Sequence, residues 1–148
     1  MNVEEIIKTN KDIPIETRTI IHLALVNNKV SEIMTCTLKP FGLSIQQFNV
    51  LRILRGQGKK PANLSTINDR MVTKMSNTTR LVDKLMAKGY VERNICPHNR
   101  RKVEIKITEN GLKILEDIDG IKIETEKKII QNFTNQELIK LNELLDKF

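Results

Sequence analysis

The sequence predicts a mainly α-helical fold with one small antiparallel β-hairpin, and three observations carry that prediction. Apolar residues recur at three- and four-residue steps through most of the 148 residues, the period drops to two over a single stretch from Tyr90 to Thr108, and all four prolines fall where the periodic pattern breaks. The length suits one domain with its own core, and 39% apolar with 29% charged residues is a globular balance rather than a disordered one.

Between Pro14 and Pro40, the residues Ile21, Leu25, Ile33 and Leu38, with Val26 and Val30, give an amphipathic helix from about Ile15 to Lys39. The next helix opens on an S-x-x-Q capping box, Ser44 with Gln47, with Leu43 and Phe48 placed for a hydrophobic staple and Leu51, Ile53 and Leu54 on its buried side. After Pro61, Asn63 is the expected N-cap of a short helix whose Leu64, Ile67 and Met71 form one stripe. A turn, "VTK", leads into "MSNTTRLVDKLMAKG". There Thr78, Leu81, Val82 and Leu85 share one face, Asn77, Arg80 and Lys84 share the other, and Gly89 closes the helix.

From Tyr90 the strands "YVERNI" and "KVEIKIT" flank the tip "CPHNRR", with Val103, Ile105 and Ile107 alternating against polar neighbours. A long helix from about Glu109 to Gln131 follows, with Leu112, Leu115, Ile118, Ile121 and Ile129 apolar and Gly120 expected to weaken or kink its middle. Thr134 and Glu137 form a T-x-x-E box for a last helix carrying Leu138, Leu141, Leu144, Leu145 and Phe148.

Short helix, tight turn, second helix and basic-tipped hairpin make a winged helix-turn-helix, a lobe expected over residues 43–108 of a single domain spanning 1–148. In that arrangement the second helix turns its polar face to major-groove base edges and hairpin arginines enter the minor groove. The residue types fit double-stranded DNA. Arg80 suits guanine, Asn77 suits adenine, and Ser76 and Thr79 suit phosphates or bases. Arg100 and Arg101 lie where the hairpin turns, and Lys74, Lys84 and Lys102 suit nearby phosphates. Charge agrees: residues 52–106 hold 14 Lys/Arg against 4 Asp/Glu, whereas residues 1–51 hold 5 against 5 and residues 107–148 hold 6 against 9. The whole positive excess lies where a polyanion would bind.

The stretch "TRLVDKLMAKGYVERNICPHNRRKVEIKITENG", Thr79 to Gly111, resembles the signature of the MarR family of transcriptional regulators: a Thr-Arg-Leu-Val-Asp-basic-Leu helix, a Lys-Gly turn, a basic wing and a Thr-x-x-Gly close. The resemblance implies a homodimer assembled through residues 1–40 and 109–148, operators that are pseudo-palindromic, a repressor, and a small-molecule or redox signal that changes the spacing of the two lobes. It also implies that Asp83 pairs with Arg101 to support the wing. Two departures stand out: Asn99 replaces the family's wing aspartate, and "MVTKMSN" lacks a glycine at the turn. A dimer also follows from the long helix itself, which at 1.5 Å per residue spans roughly 35 Å, so that much of its isoleucine stripe runs beyond the lobe and needs another surface.

Other chemistries are poorly provided for. Cys96 and His98, with His22 and Cys36, offer no pair at usual zinc spacings, so no metal is expected. Cys96 and Cys36 leave thiol-based redox sensing open as an alternative, as does a winged module making nonspecific DNA or protein contacts. No nucleophile and base arrangement and no phosphate-binding glycine loop is present, so neither an enzyme nor a cofactor is expected. With no apolar run of spanning length and no leader pattern at "MNVEEIIKTNKDIPIE", the expected location is the cytoplasm, without a membrane partner.

Overall fold

The computed structural model describes every residue except 59, 74–76, 97 and 98, and describes 95, 96 and 99–102 by backbone alone. Its elements are α1 (Val3–Ile7), α2 (Ile15–Leu38), a 3-10 turn (Lys39–Phe41), α3 (Ile45–Gly56), α4 (Leu64–Arg70), α5 (Thr78–Ala87), β1 (Val91–Cys96), β2 (Asn99–Ile107), α6 (Glu109–Ile129) and α7 (Asn135–Leu145). The sequence did not announce α1, because five residues are too few for a periodic stripe. Asn2 caps it by accepting from the Glu4 amide at 3.0 Å. Arg18 of α2 then grips the Glu4 carboxylate through two bonds, of 2.6 and 3.2 Å. The guanidinium contact holds that carboxyl below its ordinary pKa.

Side-chain caps set most helix starts. Ser44 and Gln47 exchange both bonds of the capping box, at 3.0 and 3.2 Å, and Leu43 and Phe48 on either side are buried in the same core. Asn63 accepts from the Thr66 amide at 2.7 Å at the head of α4. Thr134 and Glu137 complete the box that opens α7, with 2.8 Å from the Thr134 amide to the Glu137 carboxylate and 3.3 Å for the return bond. Gly89 ends α5 in the left-handed region at φ 71°, where a side chain would be strained.

The hairpin pairs Val91 through Ile95 with Ile107 back to Val103 in one register. On the other edge of β2, Ala62 makes a single bridge, exchanging backbone bonds of 2.9 and 2.7 Å with Ile105. Phe48, Leu51, Leu54, Ile67, Val82, Leu85 and Ile105 form the centre of the core, which also takes Leu38 from the end of α2 and Leu115 and Ile118 from α6. Beyond Ile118 the burial stops. Ile121, Ile123 and Ile130 are exposed, and α7 contains no buried residue. The long helix runs unbroken through Gly120. Among the described residues, no helix is long and apolar enough to cross a membrane.

Candidate DNA-binding interface

The recognition helix α5 is amphipathic in the sense its sequence predicts. Thr78, Val82 and Leu85 are buried, while Asn77, Thr79, Arg80, Asp83 and Lys84 are exposed. Asn77 sits at the N-cap position but makes no capping bond, which leaves its amide off the helix end. Its neighbour Thr78 donates its hydroxyl to Asn68 Oδ1 at 3.2 Å, tying α4 to α5 across a turn that has no glycine. Lys74 and Ser76 lie outside the described residues.

The hairpin continues further than the sequence suggests. Cys96 pairs with Asn99, so Arg100 and Arg101 belong to β2 rather than to the turn. The register jumps between Ile95, opposite Val103, and Cys96, opposite Asn99. Arg100, Arg101 and Lys102 therefore fall between two consecutive rungs with no β1 residue across from them, the local widening and twist of a bulge. The side chains of these three cations, of Asn99 and of Cys96 lie outside the described residues.

Asp83 has a partner that sequence reasoning missed. Arg93 of β1 donates to its carboxylate at 3.1 Å, joining recognition helix to hairpin, whereas the expected partner Arg101 has no described side chain. Arg93 stands opposite Ile105, in the same strand phase as Val91, but is exposed, and no local feature of the sequence pointed to the pair.

The far end of α5 is welded to α6. Thr108, the N-cap of α6, donates its hydroxyl to the Gly89 carbonyl at 2.6 Å and its amide to the Tyr90 carbonyl at 3.1 Å. Its hydroxyl also accepts from the Gly111 amide at 3.1 Å. Gly111 lies against the Tyr90 carbonyl and Ile107, leaving no room for a Cβ. The Thr-x-x-Gly close is thus a joint, with threonine as cap and clasp and glycine permitting the approach. A second link, between α3 and the middle of α6, is a bidentate pair in which Arg55 donates to Asp119 at 2.6 and 3.2 Å.

Among the described residues, no group of three or more His, Cys, Asp or Glu side chains is arranged to hold a metal. Cys36 is free and exposed on α2.

A family model described as the MarR family matches residues 43–103, the stretch from the start of α3 through the hairpin. The HTH-type transcriptional regulator YpoP of Bacillus subtilis is 31% identical over 122 residues, covering 82% of each chain. The chain belongs to the MarR family. Another relative, the HTH-type transcriptional repressor IacR of Pseudomonas putida, is 27% identical over 84% of this chain and 73% of its own. Among solved structures, a mutant MarR from E. coli complexed with operator DNA superposes with a TM-score of 0.77 at 26% identity, covering 99% of this chain and 98% of that one. This MarR-family chain is a winged helix-turn-helix DNA-binding transcriptional regulator, and not an enzyme.

Proposed function

We propose that this regulator is a repressor that reads pseudo-palindromic operator DNA as a homodimer and is modulated by a small molecule. The observation that carries the reading is the exposed face of α5, where Asn77, Thr79, Arg80 and Lys84 stand free of the core beside a hairpin with three consecutive cations. Arg80 and Asn77 are the base-reading candidates, and Thr79, Lys84, Lys74, Ser76 and the wing cations Arg100, Arg101 and Lys102 the phosphate or minor-groove ones. Repression is supported by the likeness to IacR, which is named a repressor.

The homodimer is supported by the apolar residues left exposed on the first long helix and the last two: Ile20 and Val26 on α2, Ile121 and Ile123 on α6, Ile139 and Leu144 on α7. An unpaired apolar surface on this scale is what a second copy would cover. The small-molecule reading is supported by a groove of about 470 Å³ between the end of α3 and the start of α6. Leu54, Ile107 and Leu112 line it with Lys60, Lys106 and Glu109, and with Arg55, which is paired with Asp119, so that apolar walls meet charges of both signs.

Selection of bound fragments from genomic DNA, followed by sequencing, tests the whole reading. Inverted half-sites about one helical turn apart are expected. Random duplex competing as well as the selected site at physiological salt would overturn it.

A further inference from the structure

We infer that Arg55 and Asp119 are positioning residues that fix the distance between the two reading lobes, and so determine which half-site spacing is accepted. The inference rests on the homodimer proposed above. Among the described residues of one chain, polar side chains tie the lobe to α6 at two places, on either side of the buried Leu115 and Ile118. At the first turn, Thr108 and Gly111 lock the helix to the end of α5. Eleven residues further, Asp119 is held by Arg55 through two parallel bonds. At 1.5 Å per residue these attachments are about 16 Å apart, so a slip of only about 1 Å at the second swings the helix by roughly 4° about the first.

Between them Leu115 and Ile118 are fully buried and seat the helix in the lobe, and the ion pair adds a directional constraint where that packing ends. A guanidinium fork on a carboxylate is directional and fixes both distance and plane. Arg55 is well placed to transmit this to the lobe, since α3 is rooted in the core by Phe48, Leu51 and Leu54. Asp119 sits where α6 leaves that core, next to the last buried residue, Ile118, and two residues before the first exposed isoleucine, Ile121. One base pair more or less between half-sites moves them by about 3.4 Å and rotates them by roughly 35°, a change that a rigid joint rejects and a loose one absorbs.

The test uses the full chain titrated by fluorescence anisotropy against its selected operator and against versions with one base pair added or removed between the half-sites. The variants are Arg55→Lys, which keeps charge and bulk but loses the fork, Asp119→Asn, and the reversal Arg55→Glu with Asp119→Arg. The unmodified chain is expected to discriminate among spacings by about tenfold or more, each single variant to within about threefold, and the reversal to regain most of the difference. Thermal melts and sizing confirm that all are folded and assembled alike. If charge alone mattered, Asp119→Asn would tighten binding to all three spacings by the same factor and leave the discrimination among them unchanged, and that result overturns the inference, as do other single variants that keep full discrimination. An unmodified chain indifferent to spacing would remove the dimer reading and this inference together. Discrimination shared by native and variants removes the positioning role alone.

Discussion

Two glycines in α6 give opposite predictions for one substitution. At Gly111 an added Cβ would overlap the Tyr90 carbonyl oxygen and lie 2.7 Å from Ile107 Cγ1. Neither neighbour retreats freely. The Tyr90 carbonyl is bonded by the Thr108 amide at 3.1 Å, and the adjacent Gly89 carbonyl by the Thr108 hydroxyl at 2.6 Å. Relief therefore means overpacking strain of about 1–3 kcal/mol together with weakening of two bonds worth about 1 kcal/mol each. Alanine's better helix propensity returns about 1 kcal/mol, so Gly111→Ala should destabilise by roughly 2–4 kcal/mol. At Gly120 nothing lies within 4 Å of the added carbon. There alanine should stabilise by about 0.5–1 kcal/mol through the unfolded chain's lost freedom. Urea melts at one fixed chain concentration, scored by midpoint at unchanged slope, compare the two directly, and a separation of about 1–2 M is expected. If Gly111→Ala melted within about 0.5 kcal/mol of the native chain, the joint between α5 and α6 would not be as tight as described.

Asp83→Asn should change stability by less than about 1 kcal/mol, because its pair with Arg93 is exposed, yet weaken operator binding several-fold by freeing the hairpin from the recognition helix; anisotropy and melts on the same preparation separate the two effects. Arg80→Ala should cost about 1–3 kcal/mol on the operator and little on random duplex, whereas Lys84→Ala should weaken both alike and lower the slope of log K against log salt by about 1. Ser44→Ala removes the cap of α3 and should destabilise by about 1 kcal/mol in a thermal melt. Glu137 has its pKa lowered chiefly by the Thr134 backbone amide, so its cap is at full strength above the ordinary carboxylate pKa and fades as pH falls through the lowered one. Helicity of the native chain should accordingly converge on that of Glu137→Gln in acid, and a gap that persisted there would refute the assignment.

Local chemistry was the readable part of the sequence. Ser44 with Gln47, Asn63, Gly89 and Thr134 with Glu137 each act within four residues of their partners, and each acts in the structure where the sequence placed it. The exposed and buried faces of α5 were equally plain, since helical spacing alone decides them. Partners across the fold were not. Arg55 and Asp119 are 64 residues apart, and nothing in either neighbourhood names the other. For Asp83 the register of the first strand brings Arg93 to it, a partner the sequence did not name, while the side chain of the expected Arg101 lies outside the described residues. The hairpin tip was drawn too wide because a bulge breaks the alternation that marks a strand.

The jump in hairpin register has an evolutionary consequence. Five rungs, from Val91 with Ile107 to Ile95 with Val103, hold one phase, and Ile105 in their midst carries both the core contact and the bridge to Ala62. Past Ile95 the next pair, Cys96 with Asn99, is set in a different phase. A change in length beyond that break leaves the pairing of the five rungs below it as it is, so no inward side chain there need turn outward. A lineage can thus rewrite the far end of the hairpin while inheriting the foundation unchanged.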